Sequence, residues 1–470
     1  MSKVFYTKFS ELSGNRFDAS YYIPELVELE KKVTNISTKK LKDFVVSISS
    51  GATPKKSANN DYYEEDKNKG IPFLRVQNVT TFGKLDFKGL KYITPETHHK
   101  MLKRSQVVED DLLIKITGVG RMAIASVPDK DFIGNTNQHM VVVKTKSREV
   151  SETLATYLNL DIAEKLASRR ATGGTRPALD YPALLSIPVI YDEKIVQKMN
   201  DTYKQKEEKE KEAKEKLESI DDYLLDALGI ELPEKQDESV EDRVFFRKFS
   251  QLKNRLDSIY YTEKFIALEK SLDNTKYPLM KLADICEINR GGSPRPIHNF
   301  ITENKDGINW IKIGDTKGVD KYIYKTKQKI LPSGVRHSRM VYEGDFILSN
   351  SMSFGRPYIM KTTGCIHDGW LLLRKKENIV SEDFLYSILN SKFIYNFFKR
   401  ETIGGVVENL SIDLVKKIKI PIPPIEIQNL IANNNQLLLD EAKSLNNEAS
   451  QIYNDAKAEV ERMILGENDD

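Results

Sequence analysis

At 470 residues, 40% hydrophobic and 30% charged, the chain is long enough for about three structural units and has a globular, not a disordered or fibrous, composition. No apolar run approaches the ~18 residues of a membrane helix, the opening MSKVFYTKFSEL lacks a signal peptide's core, and two cysteines, Cys286 and Cys365, are too few for a disulfide framework or a four-thiolate zinc site, so a cytoplasmic location is expected. The net charge of +3 is unevenly spread: residues 192–242 hold nine Lys or Arg against eighteen Asp or Glu and residues 425–470 three against ten, which leaves +19 on residues 1–191 and 243–424.

In chain order, the first basic block holds short β-rich runs, IPFLRV, LLIKI, MAIASV and MVVVK, parted by Gly, Pro, Asn and Asp, with a helix expected over Ser151 to Arg169. From Ile195 to Leu228 a heptad seam predicts a long helix, with Met199, Tyr203, Ala213, Leu217, Ile220, Leu224 and Ala227 on one face. Lys206 and Glu210 fall on the same seam, so its middle must be solvent-exposed or paired with charge. Gly229 and Pro233 stop the helix. The second basic block repeats the β-rich pattern (NWIKI, DFILSN, WLLLRK) with a helix over Glu382 to Lys399. A second long helix follows from Glu426 to about Leu465, with Ile427, Ile431, Asn434, Leu438, Ala442, Leu445, Ala449, Ile452, Ala456, Val460 and Met463 on one face. At ~1.5 Å per residue each rod spans roughly 50–60 Å, a length suited to spacers or dimerisation stems. The expected organisation is α+β: a β-rich domain over 1–191, a long helix over 192–232, a linker over 233–248, a second β-rich domain over 249–424 and a C-terminal helix over 425–466.

The chain also repeats itself. FSELSGNRFDASYY (Phe9 to Tyr22) matches FSQLKNRLDSIYY (Phe249 to Tyr261), and the correspondence continues in order: LKDF with LADI, SGATP with GGSP, GIPFLRVQN with GINWIKIGD, EDDLLI with EGDFIL, GRMAI with GRPYI, ATGGT with TIGGV, and SIPV with KIPI. A period of about 240 residues is too long for a solenoid and indicates a duplicated domain-plus-helix unit.

This order of motifs resembles the DNA sequence-specificity (S) subunit of type I restriction-modification systems, over essentially the whole chain. The resemblance implies two β-rich target recognition domains, each reading half of a split duplex DNA site, separated by two long antiparallel coiled-coil helices that act as a ruler and dock two methyltransferase subunits. It further implies restriction subunits in the full complex, S-adenosylmethionine held by the methyltransferase, no cofactor or metal in this chain, and no membrane. The loops depart from the family pattern, so the DNA sequence read does not carry over. Two repeats related by a two-fold place equivalent helices antiparallel, which suits a duplex of the same symmetry. The blocks differ in sequence, so the expected site is asymmetric.

Candidate DNA contacts lie where basic, amide and hydroxyl residues leave strands. In block one these are Thr53, Lys55, Lys56, Arg75, Gln77, Asn78, Lys115, Thr117, Arg121, Asn135, Asn137, Gln138 and Arg176; in block two, Arg290, Ser293, Arg295, Lys312, Asp315, Thr316, Ser349, Asn350, Ser351, Arg356, His367, Asp368 and Trp370. Arg can bond guanine bidentately, Asn or Gln adenine, and Lys or Thr phosphates; ordinary turn chemistry is the plain alternative. Partner-binding candidates are Met199, Tyr203, Leu217, Ile220, Leu224, Leu438, Leu445, Ile452 and Val460. The polar stretch Lys204 to Lys216 is not expected to seal a two-helix rod, so methyltransferase helices are expected to complete a bundle.

Catalytic signatures are lacking. There is no Walker A loop and no HExxH, the six histidines are scattered, and Pro423-Pro424 lacks the Asn/Asp-Pro-Pro-aromatic context expected, from family resemblance, of an amino-methyltransferase. GVGRMA (Gly118 to Ala123) fits a dinucleotide fingerprint, but Pro128 and the strand-like IASV leave no room for the helix it needs. The chain therefore reads as non-catalytic. Two other classes fit less of the pattern: a specificity subunit whose partner both methylates and cuts, and a coiled-coil adaptor with two protein-binding domains, which leaves the +19 unexplained.

Overall fold

The computed structural model describes residues 5–8, 12, 16–55, 62–232, 245–252, 256–350, 354–376, 378–402 and 409–467. Lys56, Ser351 and most of TIGGV lie outside them. Two compact units divide the chain: residues 1–210 with 446–470, and residues 211–445. Among the described residues no helix is long and apolar enough to cross a membrane.

In unit 1, α1 (Pro24–Ile36) precedes nine strands: β1 (Ser47–Ser50), β2 (Tyr63–Glu64), β3 (Ile71–Leu74), β4 (Lys91–Ile93), β5 (Gln106–Val108), β6 (Leu112–Lys115), β7 (Ala125–Ser126), β8 (Ile133–Thr136) and β9 (Met140–Lys144). The short α2 (Pro95–His99) lies among them, and α3 (Arg148–Leu158), α4 (Asp161–Arg170), α5 (Tyr181–Leu185) and α6 (Lys194–Leu228) follow. One sheet has the order β1-β9-β6-β7 and the other β2-β4-β3-β8-β5. The sequence explains the layering. Leu112 and Ile114 of β6 face a core with Leu154, Tyr157, Leu166 and Met199, while Leu113 joins Leu74, Val107 and Val142 on the other side. A strand buried on both faces needs a continuous apolar run, and LLI supplies it.

Unit 2 contains α7 (Glu263–Asp273), α8 (Leu282–Ile285), α9 (Glu382–Asn390), α10 (Lys392–Thr402), α11 (Ile412–Lys417) and α12 (Ile425–Leu465). Its strands are β10 (Leu279–Lys281), β11 (Cys286–Arg290), β12 (Ile301–Thr302), β13 (Ile308–Ile311), β14 (Tyr322–Ile323), β15 (Gln328–Ile330), β16 (Arg339–Val341), β17 (Phe346–Ser349), β18 (Pro357–Met360), β19 (Gly364–Ile366), β20 (Trp370–Lys375) and β21 (Lys419–Pro421). The sheet orders β11-β20-β17-β18-β14 and β12-β15-β13-β19-β16 repeat those of unit 1, with β14 added at one edge. Even the parallel pairs correspond, β3 with β8 and β13 with β19. The expected α+β duplication is therefore present in the backbone itself.

Both expected helices after the strands are split. Ser147 and Ser381 cap α3 and α9 by accepting from the backbone N–H of Val150 and Phe384. The break before α4 is at Asn159, whose side chain bonds both the N–H and the carbonyl of Ala125; the break before α10 is at Ser391, whose hydroxyl caps Ile394. MAIASV forms only the two-residue β7, because Ala123 takes a left-handed φ of 55°.

The long helices run antiparallel within each unit. In unit 1 Lys198 pairs with Glu459 and Lys209 with Glu448, and in unit 2 Lys216 pairs with Glu441. The packed face of α6 is rotated from the expected seam: Thr202, not Tyr203, is buried, Glu210 is exposed, and Leu217 is 43% exposed. Lys206 turns inward, its ammonium 4.6 Å from the Phe82 ring centre and 2.6 Å from Glu210. Cross-helix Lys–Glu pairs and buried alanines lie along the packed faces, Ala449 and Ala456 in unit 1 and Ala213 and Ala442 in unit 2. As a correction to the partner-binding candidates, Met199 and Val460 belong to the unit 1 core and Leu224 to the unit 2 core. Tyr203, Ile220, Leu438, Leu445 and Ile452 are half-buried.

Candidate nucleic-acid interface

Each unit brings the same two loops together beside the same basic turn. In unit 1 the loop after β1 carries Thr53 and Lys55, and Thr53 donates to the side-chain carbonyl of Gln138, in the β8–β9 turn. The closeness is built into Gly51: a methyl there would sit 1.7 Å from the Thr136 carbonyl oxygen. β1 also packs on the turn Lys103–Ser105, where Lys103 and Arg104 are exposed.

In unit 2 the loop after β11 meets the β19–β20 turn at Asp368. Ser293 donates to the Asp368 carboxylate, Arg295 lies 3.6 Å from it, and the Asp368 carbonyl accepts from Arg290 at 3.1 Å and Asn350 at 3.0 Å. The Ser293 hydroxyl bond, more than the neighbouring charges, holds the Asp368 carboxyl below its ordinary range, so it stays an ionised acceptor. Gly292 passes close to the carbonyl of His337, in the turn Pro332–His337 that exposes Arg336 and His337. Exposed guanidinium groups beside loops of amides, hydroxyls and a carboxylate can contact phosphates and base edges.

Nine of the expected contacts are buried in the frame or bonded to it. Asn78 and Asp315 are buried caps on the N–H of Arg75 and Lys312. Lys115 is buried and donates to the carbonyls of Val119 and Arg121, and burial lowers its pKa. Arg121 is held by Asp161 and the Asn159 and Leu160 carbonyls. Asn135 is buried against His98 and the Leu102 carbonyl, and Asn137 caps His139. Ser349 accepts from the Arg356 N–H, Asn350 is buried, and Trp370 fills a core with Ile347 and Ile366. Arg75 and Lys312 are half-buried, bonded to the Gly89 carbonyl and the Gln328 side chain, and Thr117 and Thr316 are likewise half-buried. Gln77, Arg176, Arg290, Arg295 and Arg356 remain exposed. The basic turns at Lys103-Arg104 and Arg336-His337 were missed; KRS and VRHSR, each just before a strand and its Asp111 or Asp345 turn, are the signal that marks them.

His367 is a second titratable group of this junction. Burial, the largest influence, lowers its pKa below the ordinary 6.5, and its Nε2 accepts from the Ile313 N–H at 3.1 Å. The unfolded chain then binds a proton near pH 6.5 that the folded chain resists, so stability is full above that pH and falls below it. Unit 2 is expected to melt progressively lower from pH 7 to pH 5, and His367→Gln to flatten that dependence. An equal slope in both proteins would remove His367 as its source.

Comparison with known proteins now bears on these loops. Residues 274–447 match the type I restriction modification DNA specificity domain. A Haemophilus influenzae chain described as a type I restriction enzyme specificity subunit is 25% identical over 197 residues, and the match spans 41% of this chain and 46% of that relative. Among solved structures, one concerned with assembly and conformational transition of a type I restriction-modification system superposes with a TM-score of 0.49 at 13% identity, covering 91% of this chain and 96% of the other. The HsdS subunit from Thermoanaerobacter tengcongensis gives 0.39 at 14% identity over 92% and 96%. The second repeat thus carries the match to a type I restriction modification DNA specificity domain, and the same motifs and sheet order recur in the first.

Proposed function

We propose that the chain reads duplex DNA with one unit per half-site and catalyses nothing itself. One observation carries this reading. The two units share a frame, sheet for sheet, but present different side chains on the loops it holds together: Thr53, Lys55 and Gln138 with Lys103 and Arg104 in one, Arg290, Ser293, Arg295 and Asp368 with Arg336 and His337 in the other. A common frame with different contact residues is what an asymmetric, bipartite site requires. Methyl transfer, with S-adenosylmethionine, and cleavage would come from methyltransferase and restriction subunits, the former docking on the exposed faces of α6 and α12. Selection of preferred sites from a random duplex library by the assembled complex tests the reading; two different half-sites are the expected result, and salt-insensitive or absent binding would favour the adaptor.

Arg295→Ala separates reading from clamping. If Arg295 contacts a base, discrimination drops by ~1–3 kcal/mol at one position of one half-site; if it contacts a phosphate, affinity falls uniformly and the salt slope shrinks by about one. Wild-type affinity and salt dependence would exclude Arg295 from the interface.

A further inference from the structure

Within unit 2, α6, α9, α12 and β14 line a cleft of about 460 Å³. Its charges are answered from within: Lys321 pairs with Asp383 at 2.6 Å and Lys392 with Asp221 at 3.8 Å. Its amide is not. Asn435, on α12, is 3% exposed, and neither its Nδ2 nor its Oδ1 has a hydrogen-bond partner. Leaving such a group unpaired forfeits its hydration with nothing in return, and natural interiors rarely keep one without a use for it. Leu217 and Leu439 line the same cleft while more than a third exposed, and Leu437 stands 61% exposed on the same helix.

Unit 1 shows the corresponding junction closed by its own chain. Phe82 packs against both long helices, 5.1 Å from the Tyr203 ring and 4.8 Å from the Tyr453 ring, and the Tyr453 hydroxyl donates to the Thr81 carbonyl. The segment carrying Phe82 bridges in parallel to Ser126, as β14 pairs in parallel with β18 in unit 2. There, however, the Tyr322 ring lies 5.0 Å from both Lys321 and Lys361, and the cleft stays open.

We infer that this cleft is a socket for a segment of the methyltransferase subunit, which offers an amide, from its main chain or an Asn or Gln side chain, to Asn435 and an apolar side chain to Leu217, Ile220 and Leu439. The inference rests on the docking reading above and deepens it: the internal charge pairs call for a neutral occupant, the unpaired donor and acceptor for an amide, and the exposed leucines for a protein surface. The test uses the full chain co-expressed with the methyltransferase subunit of its own system. Asn435→Leu, a near-isostere without the amide, is expected to leave the melting temperature of the free chain unchanged or raised, yet to weaken capture of the methyltransferase at least about tenfold. Leu439→Glu, at a partly exposed position, is expected to weaken capture as well. Wild-type capture by both variants would overturn the socket alone and leave the cleft to water. If wild-type chain binds its DNA site but captures no methyltransferase, the docking reading fails and the socket with it.

Discussion

Arg400→Ala is expected to remove about 3 kcal/mol from unit 2, a large share of the ~5–15 kcal/mol that holds a domain together. Arg400 is 2% exposed; its guanidinium lies 4.1 Å from the Tyr260 ring centre and donates to the Tyr260 carbonyl at 3.2 Å and to Glu269 at 3.1 Å. Truncation removes one charged donor from a carbonyl and a carboxylate and leaves a void beside the ring. The effect can be read in unit 2 alone, because the chain's two tryptophans, Trp310 and Trp370, are both buried there, so fluorescence-detected urea unfolding follows that unit. In unit 1 the corresponding place holds two arginines, Arg169 and Arg170, on one carboxylate, Glu30, with Arg169 4.1 Å from the Tyr21 ring centre. Arg169→Ala should therefore cost less than Arg400→Ala. An unchanged midpoint in Arg400→Ala would mean that the buried pair contributes nothing net.

Gly291→Ala is expected to cost about 3 kcal/mol or more and, on the proposed function, to abolish half-site recognition by unit 2 with it. A methyl at Gly291 would lie 2.1 Å from the carbonyl oxygen of His367, in a place where the Gly291 N–H already bonds the Trp370 carbonyl at 2.9 Å. Neither backbone can retreat without pulling Ser293 and Arg295 away from Asp368. Gly314→Ala is the control, since its methyl meets nothing within 4 Å and should change stability by less than about 0.5 kcal/mol. If the two substitutions gave equal denaturation midpoints, the loop would be far looser than its contacts imply.

The repeats, the strand-rich blocks and the two rods were legible because each rests on a local pattern: paired motifs, short apolar runs, heptads. What the repeated motifs do was less legible. Asn78 and Asp315 recur because both turns need a side-chain cap, and Asp111 and Asp345 because each accepts from a backbone N–H and a strand-borne cation, Lys144 or Arg374. Residues shared by two units and bonded to their own backbone belong to the frame, so polar residues picked inside the matched motifs include several that the fold itself already uses. The rotated seam of α6 was hidden for another reason: heptad counting scores Tyr203 above Thr202 by hydrophobicity and takes no account of Phe82, distant in sequence, which packs on Tyr203 and draws Lys206 inward.

The division of α6 and α12 between the units has a consequence for biosynthesis. The unit 1 core includes Ala456, Val460 and Ile464, from the last turns of α12, packed with Ile195 and Met199. Of the two units, the one begun earlier on the ribosome is thus the later to close its core, after residues 211–445 have been synthesised in full. Until then its apolar face is a client surface for chaperones, and a ribosome stalled before residue 446 leaves the N-terminal domain, not the C-terminal one, short of its final helix.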